Sequence, residues 1–238
     1  MKKNEIENKK NTEKREGALR ILKFCCSAIL MLAMISLTFS SCSKLNDLKY
    51  NSKDQTYVDS KTGIAYCAAP GCYEFNLFDY EIGEDYCRIG NSVLCRINGL
   101  EPEKWLYDNN TKTVFYNSEI DLPLFESMTI TKIMLCYQDV YTASFESISD
   151  KDEIKRICKA YTDGEEALGF SSIPEKTWAV KFAFEGFPEL LYNLMYTSDD
   201  NGTAFLSNRY EKRTVSVGSL LDKYKLDYVD TGSDDSGT

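Results

Sequence analysis

The sequence predicts an α+β fold that is β-rich, with a mainly antiparallel sheet and one clear amphipathic helix over about 150–162. Two observations carry that prediction. Short runs rich in aromatic and β-branched residues recur along the chain, bounded by Gly, Pro, Asn or Asp turn signals. One stretch keeps helical apolar spacing and has a capping residue in front of it. Hydrophobic residues make up 43% of the chain, ordinary for a folded protein, and no internal repeat is visible.

The strands begin after a polar stretch. Residues 43–56 lack apolar periodicity and are expected to form, with Cys42, a 42–56 tether. Gly63 to Cys67 and Cys72 to Leu77 flank Ala68-Ala69-Pro70-Gly71 and are expected as a hairpin. Tyr86 to Ile89 and Val93 to Ile97 flank Gly90-Asn91-Ser92 in the same way. Trp105 to Tyr107 and Val114 to Tyr116 flank Asp108-Asn109-Asn110-Thr111. Pro102 suits the first turn of a short helical element ahead of Trp105. Strands through Ile130 to Tyr137 and Ala143 to Ile148 then lead to the helix.

Asp150 is placed to cap that helix, with Glu153 three residues on as its reciprocal partner. Ile154, Ile157, Cys158 and Tyr161 form one apolar stripe. Lys155, Arg156 and Lys159 suit the C-terminal half of the helix dipole. Beyond Gly164 the strand pattern resumes at Trp178 to Phe184, Leu190 to Tyr196, Ala204 to Asn208 and Thr214 to Val217. Asp199-Asp200-Asn201-Gly202 reads as a turn, and Leu220 to Tyr224 as a closing helix. Residues 57–229 thus form the folded body, with a subdivision expected near 125, where Leu122-Pro123-Leu124 interrupts the pattern. Residues 230–238 are expected as a disordered acidic tail.

Six cysteines follow Cys42. If residues 68–71 form a four-residue loop, Cys67 faces Cys72, and a Cys67–Cys72 disulfide is expected. A three-residue loop at 90–92 sets Cys87 opposite Cys95. A two-residue turn at Gly90-Asn91 sets Cys87 opposite Leu94 instead, so one residue of register decides that pair. Cys136 and Cys158 sit on apolar faces and read as buried thiols.

Charge divides the chain. Residues 1–41 hold eight Lys or Arg and four Glu. The remainder holds 20 basic and 33 acidic residues, a net of −13. An acidic body lacks the basic face that phosphate neutralisation needs, so no nucleic-acid partner is expected. The chain contains no histidine, which removes Ser-His-Asp and Cys-His activation and every His-containing metal site. No glycine-rich phosphate loop or nucleophile elbow appears. No catalytic residue, metal site or cofactor is therefore indicated. The 16 tyrosines read first as strand packing, and secondarily as a platform for sugars or peptides.

The front of the chain carries the most specific signal. Phe24 to Phe39 is a charge-free run of 16 residues behind a basic segment. That is nearer the apolar core of a signal peptide, up to roughly 15 residues, than a membrane span of about 20. Phe39-Ser40-Ser41-Cys42 follows. It resembles the bacterial lipobox, in which a large apolar residue and two small ones precede an obligatory cysteine; Phe39 stands where an aliphatic residue is usual. The resemblance implies removal of residues 1–41 as a signal peptide by cleavage between Ser41 and Cys42, and diacylglyceryl transfer to the Cys42 thiol. Two acyl chains reach the threshold for durable anchoring. Two alternatives stay open: an uncleaved single-pass type II anchor, and a plain signal peptide followed by an ordinary cysteine. All three place the body outside the cytoplasm.

The body is similar in general character to uncharacterised surface lipoproteins of low-GC Gram-positive bacteria. The expectation is a binding or interaction module on the outer face of the cell membrane, held through its lipid anchor, with a protein or glycan partner. The alternative is a carboxylate-based hydrolase of cell-surface glycans, which needs only two acidic side chains at the right separation. A cleft gathering two carboxylates and exposed aromatics would favour the hydrolase, and a convex body would favour the binding module. A structural role at the envelope is a third reading.

Overall fold

The computed structural model describes residues 45–137, 145–167, 176–198 and 203–224. Ser41, Cys42 and the rest of the signal region lie outside these residues, as do Ala143, the Asp199–Gly202 turn and the tail. The described residues from Asn46 onward belong to one compact unit. They are β-rich, with one α-helix among them.

Seven strands close a barrel: β1 (Asn46–Asn51), β2 (Thr56–Asp59), β3 (Ala65–Ala68), β5 (Ile82–Ile89), β6 (Ser92–Ile97), β7 (Trp105–Asp108) and β8 (Thr113–Asn117). Their order is β1-β2-β3-β8-β7-β6-β5. Every pairing is antiparallel except the last, where β1 lies parallel to β5 with Asn46 beside Cys87 and Asp47 beside Arg88. A barrel this narrow is filled by side chains. Leu48, Tyr66, Cys87, Leu94, Leu106 and Phe115 fill it. Alternate residues point the other way, so Ile97, Trp105, Tyr107 and Val114 leave the barrel and join the main core.

That core lies between the barrel and a second sheet. Its strands are β4 (Tyr73–Phe75), β9 (Ile130–Tyr137), β10 (Phe145–Ile148), β11 (Lys176–Phe184), β12 (Leu190–Ser198), β13 (Ala204–Asn208) and β14 (Arg213–Ser216). The order is β10-β9-β11-β12-β13-β14, with β4 pairing β12 off that path. Register sets Leu135, Val180 and Leu194 in one row and Ile133, Phe182 and Tyr192 in the next, and all six are buried in the core. Helix α1 (Lys151–Thr162) packs on the same core through Ile154, Ile157 and Tyr161.

Several expectations change. The hairpin across residues 68–71 is not formed, because β3 pairs with β2 and β8 while β4 pairs with β12. The physical reason lies in Tyr73 and Phe75. Both bury in the shared core, with Phe75 edge-on to Trp105 and Tyr107 at centroid distances of 6.1 and 5.6 Å. The geometric premise of a Cys67–Cys72 disulfide goes with the hairpin, and both residues are free thiols. Between β5 and β6 the chain takes the two-residue turn. Cys87 stands opposite Leu94 and inside the barrel, where burial pushes its thiol up to about 12.

The expected tether also changes. Residues 46–51 form β1, and Thr56 begins β2. Strand pairing uses the backbone, so one buried side chain, Leu48, suffices to dock β1 without apolar periodicity. The segment near 125 lies between β8 and β9, outside any strand, and within the one compact unit. Phe125 is nevertheless buried there, in ring contact with Tyr161, Phe182 and Tyr192 at 5.0, 5.2 and 5.0 Å. It fastens helix to sheet. Leu220 to Tyr224 yields only a 3-10 turn over Asp222–Tyr224.

Candidate functional site

The seam between barrel and sheet opens into a groove of about 540 Å³. Four pieces of chain line it. The β3–β4 connection supplies Pro70 and Cys72, and β4 supplies Tyr73. The end of β8 supplies Tyr116, with Asp121 and Leu124 beyond it. The β13–β14 turn supplies Tyr210 and Glu211. Among the described lining residues there is no Lys or Arg. Tyr210 and Leu124 stand well exposed, at 62% and 72%.

The turn is built locally and braced from a distance. Asn208 Oδ1 accepts the backbone N–H groups of Tyr210 at 2.9 Å and Glu211 at 3.2 Å, the side-chain bonding that makes Asn a turn former. Lys212 follows in the left-handed region at φ 54°. The Asn208 amide then donates to the Tyr192 hydroxyl at 2.6 Å. Tyr192 donates to Glu211 Oε1 at 3.0 Å, and Tyr161 donates to Oε2 at 3.4 Å. One carboxylate is thus held by phenols from the helix and from the central sheet. Arg213 fixes the far side. Its guanidinium lies 5.0 Å from the Tyr161 ring centre and donates to the Thr162 carbonyl at 2.7 Å.

The opposite wall is equally determined. Tyr73 stands edge-on to Tyr192 at 5.3 Å and donates its hydroxyl to the Pro123 carbonyl. Gly71 leaves room for Tyr210, since a Cβ there would run into the Tyr210 hydroxyl and ring. The carboxylate charges are felt across the groove. The Tyr73 phenol is pushed up first by burial, then by Cys72 and Glu211. The Tyr116 phenol is pushed up by burial, then by Cys67 and Asp121. Burial also raises the Cys72 thiol, against the opposing effect of its hydrogen bond with Tyr192. A thiol so raised is a poor nucleophile.

Cys67 sits on β3 opposite Tyr116, half-buried, and Cys72 is buried at the groove wall. Cys67 is thus the cross-strand partner of Tyr116, which lines the same groove as Cys72, although the two cysteines share no hairpin. The sequence singled out neither Asp121 nor Tyr210 nor Glu211. The turn signal at Asn208 was available, but nothing local joins that turn to Cys72 or to the helix.

Two other hollows differ in chemistry. One of about 660 Å³ runs along α1, floored by Ile130, Ile154 and Cys158 and edged by Lys151, Lys155 and Lys159. A smaller one, about 290 Å³, lies over Met195, Thr197 and Ser207. Neither combines several aromatics with carboxylates. The carboxyl that burial pushes upward, Glu189, precedes β12 and does not line the seam groove. Among the described residues no group of three or more Cys, Asp or Glu is arranged to hold a metal ion, and no helix is long and apolar enough to cross a membrane.

No protein-family model, curated protein or solved structure matches the chain.

Proposed function

We propose that this chain is an extracytoplasmic binding protein, exported by residues 1–41 and anchored through lipid on Cys42, with the seam groove as its ligand seat. The observation that carries the binding reading is the groove itself: three tyrosines and two carboxylates, with one carboxylate held by a hydrogen-bonded network. Its size falls within the roughly 300–1,000 Å³ of small-molecule sites. Among the described lining residues there is no activated nucleophile.

The groove also meets the condition that favours a glycan hydrolase, because Asp121 and Glu211 line it beside Tyr73, Tyr116 and Tyr210. Glu211 favours binding. Both its oxygens accept from the Tyr161 and Tyr192 hydroxyls, which suits a fixed carboxylate acceptor and opposes the protonated general acid that glycoside cleavage needs. Hydrolysis of a cell-wall oligosaccharide by the purified body, abolished in Glu211→Gln, would reverse the choice.

The anchor has its own test. Metabolic labelling with a fatty-acid analogue should mark the wild type and leave Cys42→Ala unmarked. Equal labelling of the two would remove the lipid from the reading. For the seat, a ligand that stabilises the wild type against heat should lose that effect in Tyr210→Ala. Undiminished stabilisation would place the site elsewhere.

A further inference from the structure

We infer that the seam groove seats an organic cation: an ammonium or guanidinium group, carried by a small amine or by a basic side chain of a peptide. This rests on the binding reading above and adds the ligand class to it.

Four observations point the same way. Asp121 and Glu211 line the groove, and the described lining residues offer no basic side chain to neutralise them. Tyr73, Tyr116 and Tyr210 line the same space, and the negative face of an aromatic ring attracts a desolvated cation. Glu211 is already fixed by Tyr161, Tyr192 and the Asn208 turn. Little ordering is left for binding to supply, which favours affinity. An ionised carboxylate has about four acceptor sites; the two phenols take two, and two remain for N–H donors.

The wider field agrees. The body carries a net charge of −13, which draws cations toward an acidic cleft and repels anions. The hollow along α1 is mixed, edged by Lys151, Lys155 and Lys159 but also by Glu126 and Glu185. An anionic ligand would meet two carboxylates in the seam groove. A neutral sugar would stack on the rings but bring no charge to offset the two carboxylates as they lose water.

Titration calorimetry on the full body at low and high salt tests this, using spermidine, a tri-lysine peptide and a neutral N-acetylglucosamine trimer. Spermidine or tri-lysine should bind, and the affinity should fall with salt. Asp121→Asn and Glu211→Gln should each weaken binding about tenfold, the order of one lost charge-assisted hydrogen bond. Glu84→Gln, at an exposed position of β5 outside the groove lining, should leave it unchanged. Spermidine alone binding identifies a free amine, and tri-lysine alone identifies a basic side chain; both support the inference. If Glu211→Gln fails to fold, Asp121→Asn carries the test, since Asp121 is exposed and lies outside the strands. Binding of the sugar without either cation overturns the ligand class and leaves the binding reading standing. Cation binding indifferent to both groove substitutions also overturns it. Absence of binding by all three probes overturns both.

Discussion

Glu211 shows how a residue acquires a role from distant partners. Alone it is an acidic residue in a turn, one of 33 such charges in the body. In the fold it closes a network with Tyr192, Tyr161 and Asn208, and that network is only as good as its least replaceable member. Tyr192 is fully buried, and its hydroxyl both accepts from Asn208 and donates to Glu211. Tyr192→Phe keeps the ring and removes both bonds, leaving the Asn208 amide buried without that acceptor. A loss of about 1–3 kcal/mol is expected, read as a lower urea midpoint at unchanged slope. An unchanged midpoint would mean the network contributes nothing to the fold.

At the scale of the element, α1 was the most legible segment. Its apolar stripe and its Asp150 cap both stand, with Asp150 accepting the Glu153 N–H at 2.9 Å. The reciprocal half of the expected capping box does not form. The Glu153 carboxylate instead takes Arg156 at 2.6 Å, Tyr224 at 2.8 Å and Lys223 at 3.1 Å. Those partners, Arg156 first, hold its pKa down at about 2 against an ordinary 4.5. A folded-state pKa below the unfolded one stabilises the fold above about 4.5, and that contribution fades as pH falls toward 2. The melting temperature of the wild type should therefore drop through that window more steeply than that of Glu153→Gln. Parallel curves would show that the interactions exert no net effect. Hairpins were legible on the same principle. β5–β6 and β7–β8 form because sequence neighbours pair across turn residues. The 63–77 hairpin does not form because β4, which has the same local signature, has a better partner in β12.

At the scale of the whole molecule, the decisive feature is closure of the barrel by β1. Its polar composition reads as tether, yet its backbone completes both neighbours, β2 and β5. Deleting residues 45–51 should reopen the edge of β5. Amide exchange around Cys87 and Arg88 should then rise sharply while the β11–β12 core stays protected. Unaltered exchange at β5 would mean that β1 is dispensable.

The division between a basic front and an acidic body, the β-rich character and the helix are all legible in the chain alone. These depend on charge, apolar period and turn residues, which act over a few positions. The tertiary structure alone decided that the early strands close on themselves, that β4 crosses to the second sheet, and that Cys72, Asp121 and Glu211 line one groove. Strand pairing satisfies backbone groups whose partners can lie anywhere along the chain, so neither the choice of partner nor a site assembled between partners is written in any local pattern.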